Sequence, residues 1–346
     1  MVQQILTEAD SGSFTQDCRN KLLSISIVSA EAQDFITIKR KTSSELLQIR
    51  PTLHVTQITP FGELKTTTAN RMAKYIKEHR ENHPFYKVSS VTAPAIAGSI
   101  DEKSRVTPPL CANFLNGTMI VDEFKTNTTE KSDAIGAALD VIENEESSRA
   151  TARQPKKPLK STPEKKIQYE IGNGRIYFSG LRCNWIFLTA KHLEMNRSLP
   201  MAMLLSRTVP VKFNPSWDEL KAIDDNPDLL FKPLGLKLPK LEIIGNTAYF
   251  EIREYVEKHL RKNSIPPNYF LRTVNDCVRA YVFNGYEHDW RLYDYILTNK
   301  TMFVSDCEKQ GMDLAELEMQ KDLRFLSHSE QIRADLRYSR THLIKY

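Results

Sequence analysis

The turn after the first strand-like segment of the chain carries residues that a phosphate-binding loop needs. LHVTQIT (53–59) is typical of a strand, and a helical pattern begins near Thr66. Gly62, Lys65 and Thr66 are spaced as the glycine, the lysine and the hydroxyl that bind phosphates and a magnesium ion. Leu64 replaces the glycine that is usual before the lysine, and leucine reaches glycine's backbone conformations only at a cost. A helix start capped by threonine is the alternative interpretation.

Two carboxylates follow the next buried segment. GTMIVDEF (117–124) predicts a short apolar strand that delivers Asp122 and Glu123 to its carboxyl end. In a phosphoryl-transfer site, Asp122 would hold magnesium through water and Glu123 would polarise the attacking water. The alternative is a strand whose acidic end faces solvent.

Two later segments end in polar residues. CNWIFLTA (183–190) predicts a buried strand with Asn184 and Thr189 near its two ends, and either side chain could orient a water molecule or belong to a turn. In LLSRTVPVKF (204–213), Arg207 lies between a helix end and a strand. It could reach a nucleotide held by a neighbouring subunit, or it could pair with a surface carboxylate.

The order and spacing of these segments resemble those of the AAA+ ATPases, most closely those that move or load on DNA, such as the minichromosome-maintenance helicases. The resemblance covers about residues 50–285 and includes the QYEIGNGRIYF hairpin (168–178). It makes PFGELKTT the Walker A motif, MIVDEF Walker B, NWIFLTA sensor 1 and LLSR the arginine finger. It implies a helical lid with Arg272 as the sensor-2 arginine, ATP and Mg²⁺ as cofactors, and a homo-oligomer, a ring or a partial ring, with nucleotide between subunits.

Two segments suggest contact with DNA. The stretch 145–166 is predicted to be a mobile basic insertion, with three prolines and Glu164 as the only acid after Glu146. Its basic side chains would contact phosphates without sequence choice, and they include Arg149, Arg153, Lys156, Lys157 and Lys160.

Residues 329–343 match a helix-turn-helix pattern in outline. Arg340 and Lys345 would then face a DNA groove or phosphates. An amphipathic tail that packs on the lid is the alternative.

Composition limits the remaining possibilities. The 346 residues carry a net charge of +5, so the chain is only mildly basic, and they include no apolar run of 18 or more. The first residues lack the pattern of a signal peptide, so we expect a cytoplasmic protein without membrane contact. Five cysteines without a CxxC pair favour neither a zinc site nor a disulfide framework.

The sequence therefore predicts an α/β fold: a AAA+ P-loop core with a parallel sheet, a helical lid and a small helix-turn-helix-like segment. The expected regions are 1–50 without an assigned role, the ATPase core 51–215, the lid 216–300 and the C-terminal segment 301–346. The predicted function is an ATP-dependent DNA-remodelling or replication-type motor or loader. The alternative is a non-hydrolysing DNA-binding or scaffold protein on a decayed AAA+ fold, which Leu64 favours.

Overall fold

The fold is described from a computed structural model. It describes residues 12–39, 46–59, 64–89, 91–100, 106–122, 129–150, 168–172, 175–190, 199–213, 215–262 and 270–302.

The elements in these ranges alternate between strands and helices. In chain order the first half has α1 (Gly12–Ser29), β1 (Ile36–Lys39), β2 (Leu46–Ile49), β3 (Val55–Thr59), α2 (Leu64–His79), β4 (Phe85–Val88), α3 (Ala93–Ala97), β5 (Ser99–Ile100), β6 (Val106–Thr107), β7 (Thr118–Val121) and α4 (Thr129–Asn144). The second half has β8 (Glu146–Ala150), β9 (Gln168–Gly172), β10 (Arg175–Ser179), β11 (Asn184–Ala190), α5 (Leu199–Arg207), β12 (Val209–Lys212), α6 (Trp217–Asp225), α7 (Asn246–Lys262), α8 (Phe270–Phe283) and a helix α9 over 290–302. Short 3-10 helices span Leu110–Asn113 and Pro227–Leu230.

A five-stranded parallel sheet forms the centre of the fold, so the expected α/β class is confirmed. Its strands lie in the order β12-β3-β11-β7-β4, which is 5-1-4-3-2 when the sheet's strands are numbered along the chain. The chain leaves β3 towards one edge of the sheet and leaves β11 towards the other. The crevice outside the carboxyl ends of β3 and β11 is therefore a topological switch point, where α/β sheets commonly bind ligands.

Both faces of this sheet are covered. Ile186 and Leu188 belong to one apolar cluster with α1 and α2, whereas Trp185 and Phe187 belong to a second cluster with α4 and α5. Because successive side chains of a strand point to opposite faces, a strand buried on both faces has an unbroken apolar sequence. This explains the WIFL run.

Helix α1, residues 12–29, is part of the core. The Ser26 hydroxyl donates to the Leu53 carbonyl at 2.7 Å, and the Leu53 amide donates to the Ser29 hydroxyl at 2.9 Å. The buried apolar residues of α1 include the consecutive pairs Leu22–Leu23 and Ile27–Val28. A helix that is buried on several sides lacks the amphipathic period by which sequence reveals a surface helix.

Helices α7, α8 and α9 pack on the same side of the sheet as α1. Val256 of α7, Val278 of α8 and Tyr293 of α9 share one buried cluster with α1. Among the described residues, no helix combines the length and apolarity needed to cross a membrane.

The predicted hairpin around Asn173-Gly174 is confirmed, since β9 and β10 pair antiparallel. The predicted start of the basic loop is wrong. Residues 146–150 form strand β8, which pairs with the other edge of β10 and brings Arg149 opposite Ile176. The unpaired backbone groups at that edge favour a strand despite weak local propensity.

Candidate functional site

Lys65 and Thr66 lie in the first turn of α2, directly beyond the carboxyl end of β3. Lys65 is half-buried and Thr66 is exposed. The first turn of a helix has backbone N–H groups without intrahelical acceptors, and these carry partial positive charge. The predicted lysine and hydroxyl therefore lie at the carboxyl ends of the strands, in a position that suits an anion.

Leu64, which replaces the usual glycine, packs against a small apolar cluster of Phe213, Ile223 and Leu230. Its side chain thus fixes the entry of α2 against the segment that follows β12. Packing gives this leucine a structural role that a glycine could not fill.

Asp122 is the first residue after β7, and its side chain is only partly satisfied. Its backbone amide donates to the Val88 carbonyl at 2.8 Å, which holds the residue against β4. The residue is 6% exposed, and Oδ1 has no hydrogen-bond partner among the described residues. Oδ2 lies 3.7 Å from the Lys87 ammonium. Because a buried carboxylate oxygen without a hydrogen-bond partner is costly, this geometry suits a site that receives a further cation.

These residues fit a magnesium ion that is bound together with phosphates. Within the described ranges, no group of three or more His, Cys, Asp or Glu side chains could hold a metal by itself. Magnesium usually takes one or two carboxylates and completes its shell with water and substrate phosphates. Only β11 separates β3 from β7, so their carboxyl ends are about 10 Å apart at the usual strand spacing. Asp122 and Thr66 are the residues that would hold the ion.

Of the two polar residues proposed for β11, only Thr189 lies at the carboxyl end of the sheet, where Lys65 and Asp122 are. Thr189 pairs in register with Ile58, and its carbonyl accepts from the Thr59 hydroxyl at 3.4 Å. Asn184 lies at the amino end of the strand, and its amide donates to the Ser26 carbonyl at 3.0 Å. The prediction of Asn184 as a catalytic residue is therefore corrected, since the strand's length separates it from Lys65.

The two predicted arginines lie together at the opposite end of the sheet, where the parallel strands begin. Arg207 Nε donates to Glu143 Oε2 at 2.6 Å, and Arg272 donates to Glu143 Oε1 at 3.0 Å and to the Ser206 hydroxyl at 3.2 Å. Burial opposes ionisation of Glu143, but the two guanidinium groups outweigh it and lower the pKa of that carboxyl. The pair borders a cleft of about 240 Å³ that Arg50 and Arg279 also line.

Within one chain, the structure does not bring Arg272, the expected sensor-2 arginine, to Lys65. Arg207 directly precedes β12, whose first residue, Val209, is in register with Val55 at the start of β3. The five-residue strand β3 therefore lies between the arginines and α2, a separation of at least about 13 Å at the usual rise per residue.

The remaining predicted site residues lie outside the described side chains. Arg149 is described only as part of β8. Outside the described residues lie Gly62, Glu123, Arg153, Lys156, Lys157, Lys160, Arg340 and Lys345, together with the helix-turn-helix-like segment.

Sequence reasoning missed Lys87 and Asn70, which also lie at the carboxyl end of the sheet, as Lys65 and Asp122 do. The Lys87 ammonium donates a hydrogen bond to the Asn70 side-chain carbonyl. Asn70 lies four residues after Thr66, so the helical period alone places both on one face of α2. Lys87 lies near the end of a strand-like segment, but only the sheet order reveals that β4 neighbours β7.

No protein-family model matches this chain, and a search of curated protein sequences finds no significant match.

Proposed function

We propose that this protein is an ATPase of the AAA+ kind that binds ATP with magnesium at the carboxyl edge of its parallel sheet and acts on DNA. One observation carries the proposal. Lys65 and Thr66 at the start of α2 and the half-satisfied carboxylate of Asp122 meet at one edge, beside the topological switch point of the sheet. The order 5-1-4-3-2 supports it, because strand 4 then presents Thr189 between the lysine and the aspartate.

In this proposal each side chain has a separate task. Lys65 and the backbone N–H groups of α2 bind phosphate oxygens, and Thr66 and Asp122 hold the magnesium ion. Glu123 accepts a proton from the attacking water, and Thr189 orients that water. Bound magnesium supplies charge neutralisation at the phosphates.

Arg207 and Arg272 would act on the nucleotide of a neighbouring subunit. They lie at the amino ends of the strands, opposite Lys65. In a homo-oligomer, the amino ends of the sheet in one subunit would therefore face the carboxyl ends of the sheet in the next. Both arginines are held by Glu143, and a neighbour's phosphate would compete with that carboxylate for the same planar donors.

The DNA-directed part of the proposal rests on the basic segment between β8 and β9. These strands flank β10 on its two sides, so the two strands that the segment connects belong to one small sheet. A basic connection between two such strands suits contact with DNA phosphates. A replication-type or remodelling motor or loader is the activity that unites this segment with the nucleotide site.

Calorimetric titration with Mg-ATP tests nucleotide binding. Lys65→Ala should abolish it, whereas Lys74→Ala, on the same helix with a 57% exposed side chain, should leave it intact. Equal affinity of wild type and Lys65→Ala would refute the proposal.

The competing function is a non-hydrolysing DNA-binding or scaffold protein on the same fold. The packing of Leu64 against the Phe213 cluster favours it, because a buried leucine reaches fewer backbone conformations than the glycine that is usual in a phosphate-binding loop. Phosphate release measured with and without duplex DNA separates the two: turnover supports the ATPase, and binding without turnover supports the scaffold.

A further inference from the structure

Lys87 brings a second ammonium group to the proposed nucleotide site. It lies near the carboxyl end of β4, the edge strand beside β7. Its ammonium is 3.7 Å from Asp122 Oδ2 and donates to the side-chain carbonyl of Asn70, one helical turn beyond Thr66. The group therefore lies between the start of α2 and the acidic end of β7.

The contact between Lys87 and Asp122 is loose. A charge-assisted N–H···O hydrogen bond is about 2.7–2.9 Å long, shorter than the 3.7 Å found here, and the other oxygen of Asp122 has no partner among the described residues. The Lys87 side chain is 26% exposed, and its ammonium ends a stem of four carbons with several rotatable bonds. Rotation about these bonds would move the ammonium without moving the backbone of β4.

We propose that Lys87 is a second phosphate-binding lysine, which leaves Asp122 for the terminal phosphate when a nucleoside triphosphate binds. This inference rests on the proposed nucleotide site. Asp122 would hold the magnesium ion of a bound nucleoside triphosphate, so a group within 4 Å of Asp122 is close to where the phosphates would lie. With the charge of Asp122 balanced by the metal, the Lys87 ammonium would face the terminal phosphate, the most negative group of the ligand.

This role explains how a turn with Leu64 could still bind a triphosphate. Leucine reaches fewer backbone conformations than the glycine that is usual at this position, and the Lys87 ammonium supplies additional donors from the neighbouring strand. Because a nucleoside diphosphate lacks the terminal phosphate, Lys87 would strengthen the binding of ATP and leave that of ADP almost unchanged.

Calorimetric titration of Mg-ATP and Mg-ADP tests this prediction. Lys87→Met removes the charge and retains the stem, and it should weaken ATP binding by about tenfold or more while ADP binding changes less than about twofold. Lys87→Arg should retain most of the difference between the nucleotides. Lys74→Met makes the same substitution on exposed α2 surface and should change neither affinity.

Other outcomes overturn the inference in distinguishable ways. An equal decrease in affinity for both nucleotides, or no decrease, would mean that Lys87 only ties β4 to α2. Tighter Mg-ATP binding by Lys87→Met would mean that the ammonium competes with the metal for Asp122. Wild type that binds neither nucleotide would refute the proposed function itself. Circular dichroism establishes that each variant is folded, and should Lys87→Met unfold, Lys87→Gln gives the same comparison with an amide that can still donate to Asn70.

Discussion

Replacing Asp122 with asparagine should separate the stability of the protein from its ability to bind Mg-ATP. The buried Oδ1 has no partner among the described residues, which costs about 1–3 kcal/mol, and the Lys87 pair returns at most about 1 kcal/mol because Lys87 is partly exposed. A neutral amide costs less to bury than a carboxylate. Asp122→Asn should therefore leave the free energy of unfolding without nucleotide unchanged within about 1 kcal/mol, or raise it.

The effect on ligand binding should be opposite. A ligand present at 100 times its Kd stabilises the native state by about 2.7 kcal/mol, which for a chain of this size is a rise of roughly 4 °C in the unfolding temperature. Asp122→Asn should lose most of the rise that depends on magnesium, since the amide is a weaker ligand for the ion than a carboxylate. Differential scanning fluorimetry with ATP, with and without magnesium, measures both quantities on the same sample.

Asp276→Asn is the matched control, because Asp276 is buried but fully paired. It accepts from Arg279 at 2.7 Å and from Lys300. Removing this carboxylate leaves two cations without their partner, so the free energy of unfolding should fall by about 3–5 kcal/mol. If Asp122→Asn destabilised the protein as much as Asp276→Asn and retained its response to Mg-ATP, Asp122 would be a structural residue and the reasoning would be refuted.

The remaining predictions concern the catalytic base, an acid-sensitive carboxylate and the basic segment. Glu123→Gln should allow Mg-ATP binding and stop phosphate release, and equal rates in the variant and the wild type would exclude Glu123 as the base. Glu31→Gln should reduce the decrease of stability in acid. Burial opposes ionisation of Glu31, but hydrogen bonds from His83 and Arg80 lower the pKa of this carboxyl to about 2. Its contribution of about 3 kcal/mol to the free energy of unfolding is therefore present above the ordinary pKa of 4.5 and disappears as pH falls towards 2. Urea unfolding at pH 7 and pH 3 checks this, and an equal decrease between these pH values in both proteins would contradict it. Neutralising four basic residues, Arg153, Lys156, Lys157 and Lys160, should weaken binding to all duplexes alike. The slope of the logarithm of the binding constant against the logarithm of salt concentration should fall by about 0.7–0.9 for each DNA phosphate that the variant no longer neutralises. An unchanged slope would argue against contact with DNA.

The sequence predicted four of the five strands of the sheet because each of these has a strong local signal, whereas β4 was not predicted. The apolar runs before Asp122 and around Trp185 are unbroken, which is typical of strands covered on both faces, and both are strands of the central sheet. The helix after Lys65 and the helix before Arg207 also occur where the pattern predicted them.

The errors concern relations between distant segments. Asn184 and Thr189 belong to one strand, and only the direction of that strand relative to β3 decides which of them faces the start of α2. The position of Arg272 depends on how α8 packs against α4 and α5, and its hydrogen bonds to Glu143 and Ser206 join residues 129 and 66 positions away. Local periodicity carries no information about such pairings.

Arg19 illustrates why the first 50 residues had no recognisable role in the sequence. It is fully buried in α1, its guanidinium donates to the Gln57 side chain at 2.9 Å and to the Leu230 carbonyl at 2.7 Å, and it lies 4.0 Å above the Phe213 ring. Burial lowers the pKa of Arg19 to about 10. Gln57 is in β3, while Phe213 and Leu230 form the cluster on which Leu64 packs. The N-terminal helix therefore packs against both the strand that precedes α2 and the apolar cluster that holds Leu64, the first residue of α2. A charged residue is an unusual choice for such a position, and hydrogen bonds to a side chain and a carbonyl from two distant segments make it tolerable there.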